Sequence, residues 1–248
     1  MVIDFHVHGK VSRKFEFDEE KFLLNINEAK ENGLDSIALT EHCHAKNFYE
    51  GHEFLNSNYN LIQDYFDIDG FKVFYGTEVT TKQKLDILFI GNPKKVIKFR
   101  EEISKNYDDE KFIDINDLFK IPNINELFII IAHPYRKHIV FPELSTDILD
   151  KVNALEFNSK DLYKNGIDET IESVTKLANK YNLPIVCGSD THYYKQISTA
   201  KNILNIECEN IKQIKDEIKS NNHIIKISDD LSIRVEEAIK MKKDICNN

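Results

Sequence analysis

Apolar runs along this chain stop, again and again, at a histidine or a carboxylate. Val2–Val7 carries His6 and runs into His8, Ser36–Leu39 runs into Thr40-Glu41-His42, and Lys72–Tyr75 into Gly76-Thr77-Glu78. Leu127–Ile131 ends at Ala132-His133, Val152–Phe157 contains Glu156, and Pro184–Cys187 leads to Gly188-Ser189-Asp190-Thr191-His192. Each run has strand propensity and strand length. Amphipathic stretches of helical period separate them, the βαβα pattern of a parallel sheet or barrel. In a parallel barrel the strand ends share one rim, where the active-site loops lie. Polar groups at buried strand ends need partners, and one shared metal cluster would serve all of these together.

The first strand shows the logic at residue scale. In a strand, residues i and i+2 face the same way. His6 and His8 should project together, and two neutral imidazoles can hold one divalent ion. The same alternation puts Asp4 on their face, one step deeper, as a ligand or as acceptor for a ligand imidazole.

Further along, Asp18–Gly33 reads as a helix with Phe22, Leu23, Ile26 and Ala29 on its apolar stripe and Gly33 as C-cap. Helices are also predicted near 53–67, 94–106, 115–119, 167–181, 211–220 and 232–243, with further strands at 85–90 and 203–206. With 8 Gly and 5 Pro there is no Gly/Pro-rich linker. The expectation is one domain over residues 1–248.

Charge narrows the function. The net charge of −9 argues against a generic nucleic-acid surface. No apolar run reaches membrane-spanning length, and the first residues read as a strand rather than a secretory signal. Cys43, Cys187, Cys208 and Cys246 form no CxxC pair, consistent with reduced thiols and a cytoplasmic location.

The order HxH, TEH, GTEV, AHPYR and GSDTH, spread over residues 2 to about 225, resembles the PHP (polymerase and histidinol phosphatase) family. The AHPYR, LEFN and GSDTH spacing is similar to its small stand-alone phosphoesterases. The resemblance implies a distorted seven-stranded (β/α) barrel, two or three Zn, Mn or Fe ions, and hydrolysis of a phosphate ester. By position, His6, His8 and Asp190 would hold the first ion, Glu78 would bridge to a second held by His133, and His42 with His192 would form the third site. Mixed imidazole and carboxylate donors suit those metals. Asp86 stands where relatives carry His or Asp, and Glu41 keeps the carboxylate of the Thr-Asp-His signature, as a ligand or orienting His42. Arg136 is placed to grip a phosphate, and His192 to assist the leaving group. The implied partner is a small phosphorylated substrate such as histidinol phosphate, a nucleotide or a short oligonucleotide, with no membrane and no stable long nucleic acid.

One departure is specific to this chain. Relatives have a ligand a few residues after HxH, where this sequence has Lys10-Val11-Ser12-Arg13. A third ion is therefore expected to be weak or absent unless Glu41 or His44 completes its site. His44 and His52 fall in the loop after the second strand, His138 follows Arg136, Asn158 ends a strand as substrate contact or cap, and Tyr193 and Tyr194 offer rings for stacking. Cys187 reads as core. Two alternatives stay open: a metal-dependent amidohydrolase, which also opens with HxH, and a non-catalytic protein that kept the fold.

Overall fold

A computed structural model describes residues 1–106, 112–136 and 140–247. Its first half runs β1 (Val2–Val7), α1 (Glu19–Glu31), β2 (Ser36–His42), α2 (Glu50–Asn58), β3 (Asn60–Ile62), β4 (Tyr65–Ile68), β5 (Phe71–Thr80), β6 (Asp86–Gly91), α3 (Pro93–Asn106) and α4 (Ile115–Leu118). The second half runs β7 (Phe128–Ala132), α5 (Thr146–Leu149), β8 (Ala154–Asn158), α6 (Ser159–Asn165), α7 (Ile167–Tyr181), β9 (Ile185–Gly188), β10 (Ala200–Ile203), α8 (Ile211–Ser220), β11 (Ile224–Ile227) and α9 (Leu231–Asn247).

The strands form one sheet in the order β11-β10-β1-β2-β5-β6-β7-β8-β9, with β3 and β4 hanging from β5. Its last strand curls back to β1. The His8 N–H donates to the Thr191 carbonyl and the Asp190 N–H to the His6 carbonyl, both at 2.8 Å. Strands β1, β2 and β5 to β9 thus close into the distorted barrel expected from the sequence. Lower down, side chains close the same seam. Asn202 on β10 accepts from the Cys187 N–H and donates to the carbonyls of Cys187 and Ile3. Asp4 accepts from the N–H groups of His6, Ser189 and Ser198.

The barrel departs from a parallel pattern in one strand. β6 runs antiparallel to both β5 and β7. Only a tight turn joins it to β5, with the Thr81 N–H bonded to the Leu85 carbonyl and Lys84 at φ 65°. A parallel crossover needs a dozen or more residues, so the chain can only reverse there. The helix expected over 53–67 is also shorter. It stops at Asn58, and residues 60–68 form the β3–β4 hairpin, turning at Gln63 with φ 51°.

Two cores follow from strand alternation. Ile37, Leu39, Val73, Ile87, Ile129 and Leu155 face the helices. Phe5, Ala38, Phe74, Leu88, Ile130 and Val186 fill the barrel, which α8 plugs from one end with Ile211, Ile214 and Ile218. Above that plug the inward positions turn polar, and the site begins there.

Candidate metal centre

The β1–β2 register slips between Asp4 and Val7. Such a bulge lets neighbouring residues face the same way. Phe5 is packed inside the barrel against Phe128, with centroids 5.4 Å apart, yet the next residue, His6, also turns inward to the cluster. The expected sharing of one face by Asp4 and His6 is therefore broken. Asp4 ties the seam and does not touch an imidazole. The acceptor for His6 is Glu156 on β8, whose Oε1 takes the Nδ1–H at 2.9 Å.

Glu78, inward on β5, is the hub. Its Oε1 lies 3.1 Å from His133 Nε2 and 3.7 Å from His6 Nε2, and its Oε2 lies 2.6 Å from His42 Nδ1 and 3.6 Å from His8 Nε2. Asp190 is the second focus. Its Oδ1 stands 3.3 Å from His8 Nε2, 3.7 Å from His6 Nε2 and 3.6 Å from His192 Nδ1. Among the described residues, four sets have their donor atoms within 4.8 Å of one another: His6–His8–Asp190, Glu78–Asp86–His133, His8–His42–His192 and His6–His133–Glu156. Asp86 opens β6 rather than ending a strand, and the reversal of β6 brings it to the same rim. Glu41 joins none of these sets. It lies on the opposite face of β2 from His42, accepts the Lys10 N–H at 3.0 Å, and stands 3.5 Å from His8 Nδ1.

The donors fit divalent ions. With its Nδ1–H given to Glu156, His6 presents a bare Nε2, which faces His8 Nε2 at 3.2 Å. Nitrogens sharing one ion at ~2.1 Å stand about 3.0–3.4 Å apart, a spacing this pair matches. Glu156 Oε2 is buried without a hydrogen-bond partner among the described residues. The electrostatics agree. Burial pulls His6 and His8 down, but Glu156 and Asp190 push His6 well up, while Asp190, Glu41 and Glu78 carry His8 to about 9. A field that demands protons there will accept metal cations instead. Glu78 and Asp190 are held well below the usual carboxylate range despite burial, by the surrounding imidazoles and, at Asp190, by Arg136. Burial and the neighbouring His8 push His192 well down.

Two of these residues sit in left-handed backbone, His133 at φ 32° and Asp190 at φ 55°. Such conformations cost roughly 1–3 kcal/mol each for a non-glycine residue and gather at functional sites. Arg136, three residues after His133, braces the second. Its Nη1 lies 2.6 Å from Asp190 Oδ2 and its Nε bonds Asp161 at 3.1 Å, while Nη2 is buried with no partner among the described residues.

A cavity of about 430 Å³ opens over the cluster. His42, Glu78, Asp86, Asp190 and His192 form its floor, and Arg13, His44, Phe112, Arg136, Lys160 and Lys242 its walls. Lys160 and Lys242 were not foreseen. Lys242 lies on the expected last helix and Lys160 on α6, a helix the sequence reading did not predict. Other residues go elsewhere. His52 packs edge-on against Tyr75 and Phe66, Asn158 caps α6 by accepting the Asp161 N–H, and Tyr193 and Tyr194 pack on each other at 4.7 Å. Cys187 is core. His138 lies outside the described residues.

No protein-family profile matches the sequence, and no curated protein sequence does. Solved structures do resemble the fold. PsfC from Pseudomonas syringae aligns over 98% of both chains at TM-score 0.79 and 16% identity. The lesion-specific endonuclease EndoQ from Pyrococcus furiosus aligns over 91% of this chain at TM-score 0.64 and 18% identity. Endonuclease Q in complex with a 27-mer duplex bearing an abasic lesion aligns over 92% at TM-score 0.62 and 16% identity. This chain spans 58% of the length of either endonuclease chain. At these identities the likeness is one of fold. No helix of the described residues is long and apolar enough to cross a membrane.

Proposed function

We propose that residues 1–248 act as one PHP-type unit, a metal-dependent hydrolase of phosphate esters. The observation that carries this reading is the meeting of a buried His/Asp/Glu cluster with a braced arginine beneath one cavity. His6, His8 and Asp190 would hold one ion, Glu78 with His133 and Asp86 a second, and His42 with His192, beside His8, a third. Zinc, manganese and iron match these donors. Bound ions supply Lewis acidity for phosphoryl oxygens and acidify a water.

The protein's own groups do the rest. Glu78 holds the imidazoles of His42 and His133 in register from one carboxylate. Glu156 fixes the His6 tautomer, and Glu41 backs His8. Arg136 keeps Asp190 oriented and lines the cavity, where charge develops on the phosphoryl oxygens in the transition state. An amide substrate would leave these cations unmatched, which favours the phosphoesterase over the amidohydrolase. The cavity volume and the net charge of −9 favour a small ester, such as a sugar or amino-alcohol phosphate, or a nucleotide end, over a long duplex. The fold likeness to endonuclease Q keeps short oligonucleotides within range.

The test is direct. Protein stripped with a chelator and reconstituted with Mn²⁺ or Zn²⁺ should hydrolyse p-nitrophenyl phosphate, with metal content from elemental analysis tracking the rate. Stoichiometric metal without hydrolysis of any phosphate ester, or turnover of a dipeptide panel instead, would end this reading.

A further inference from the structure

Helix α9 carries an unexpected residue on its buried face. Leu231, Val235 and Ala238 are buried at spacings i, i+4 and i+7, and the next position of that stripe, i+11, is Lys242. Upstream, Arg234 pins the helix. Its Nε and Nη2 donate to the carbonyls of Lys195 and Ile197, just beyond Asp190 and His192, and its Nη1 to Asn32, each at 2.9 Å. Eight residues, or ~12 Å of helix, separate this anchor from Lys242, which enters the cavity above the cluster. Lys160, in the first turn of α6, enters from the side.

Neither lysine forms an ion pair among the described residues, although both are half-buried beside the cluster. Burial pushes the Lys242 ammonium down to about 8, with Lys160 adding repulsion and Asp190 and Glu41 offsetting it. Burial likewise lowers Lys160, with Asp190 offsetting it and Arg136 and Lys164 adding to it. Two like charges facing one partly desolvated cavity are costly unless an anion joins them. Arg136 already has two carboxylate partners, so its charge is largely spoken for. Among the described residues lining the cavity, Lys160 and Lys242 have no ion-pair partner, and Arg13 is exposed beside them.

We propose that Lys160 and Lys242 form a phosphate subsite that selects the dianionic group of a phosphomonoester over the monoanionic group of a diester. A monoester phosphate carries close to two negative charges at neutral pH, with a second pKa near ~6, whereas a diester carries one. Two unpaired ammonium groups beside the cluster match the extra charge and its additional terminal oxygen. The assignment rests on the phosphoesterase reading and narrows it to monoesters.

The experiment uses the full chain at matched metal content. Lys160→Met and Lys242→Met, singly and together, keep the aliphatic stems, and Lys160→Arg/Lys242→Arg keeps the charge. Inorganic phosphate binding is measured by calorimetry, and kcat/KM is compared for p-nitrophenyl phosphate and bis(p-nitrophenyl) phosphate. The wild type should favour the monoester. Each Met variant should lose phosphate affinity and monoester kcat/KM by about tenfold, the strength of one charge-assisted contact, with diester hydrolysis changed less than ~3-fold. The double Arg variant should retain both. Thermal unfolding of the Met variants at or above the wild-type temperature would confirm that the lysines do not hold the fold. Equal loss on both esters, unchanged phosphate affinity, or a wild type that prefers the diester would overturn the subsite. If neither ester is hydrolysed, the phosphoesterase reading falls and phosphate binding alone decides: loss in the double Met variant upholds the subsite, and retention removes it.

Discussion

Gly188→Ala is a one-methyl perturbation whose effects can be worked out in advance. Gly188 ends β9 against β1, where a Cβ would stand 2.5 Å from His6 Cβ, 2.6 Å from Glu156 Oε1 and 3.0 Å from His6 N. Two of those atoms belong to the β1 backbone or are fixed to it, so the contact cannot be relieved by a rotamer change alone. Overpacking of this kind costs roughly 1–3 kcal/mol. At ~2–4 °C per kcal/mol for a chain near this size, the melting temperature should fall by about 2–12 °C. The methyl also displaces the carboxylate that orients His6. Loss of such a support typically weakens metal binding by ~10–100-fold. Melting followed by circular dichroism, and metal affinity by competition with a chromophoric chelator, give the two numbers independently. An Ala variant with unchanged melting and unchanged metal affinity would show that Gly188 is not what lets His6 and Glu156 meet.

Glu78→Gln removes the one carboxylate shared by His6, His8, His42 and His133. It should lose at least one metal equivalent and most activity with the fold intact, and full metal content by elemental analysis would refute its role as hub. Asp161→Asn weakens the brace on Arg136 at 3.1 Å. It should lower kcat/KM on a phosphate ester by about tenfold at constant metal content, whereas a loss of metal instead would assign Asp161 to the cluster's stability. Chelation should lower the melting temperature, because an ion at a hundred times its Kd stabilises by ~2.7 kcal/mol, or about 5–11 °C here. A melting curve indifferent to chelator and to added Mn²⁺ or Zn²⁺ would show that the donors hold no ion in solution.

The strand ends were legible because chemistry marks them. An apolar run that stops at His or Asp cannot be burying that residue unpaired, so His6, His8, Glu78, His133, Asp190 and His192 announce one rim before any coordinates. What stayed hidden depends on geometry that period alone does not carry. The bulge in β1 separates Asp4 from His6. Glu156 reads as one more rim carboxylate until its Oε1 is seen against His6 Nδ1. The reversal of β6 was written in the short Thr81–Leu85 turn, but it and the hairpin at 60–68 were overridden by a helical or parallel expectation for the surrounding pattern. Lys160 and Lys242 lie on charged amphipathic helices, where a lysine is ordinarily solvated. The signal for Lys242 was available as the continuation of the Leu231–Val235–Ala238 stripe.

The seam between β1 and β9 has a consequence for how the molecule assembles. Asp4 and Ser189 are 185 residues apart, and closing a loop of that length costs roughly 4–5 kcal/mol of chain entropy. The β1–β2, β2–β5 and β8–β9 pairings join nearer stretches of chain, so they can form while the ring is still open; long-range pairings are the slow ones. His6 and His8 arrive on one lip of the opening, Asp190 and His192 on the other. The His6–His8–Asp190 set therefore exists only in chains whose ring has shut. An ion held by that set would count completed molecules, and damage at Asn202 or Asp4, well below the cluster, would be felt as a failure of closure.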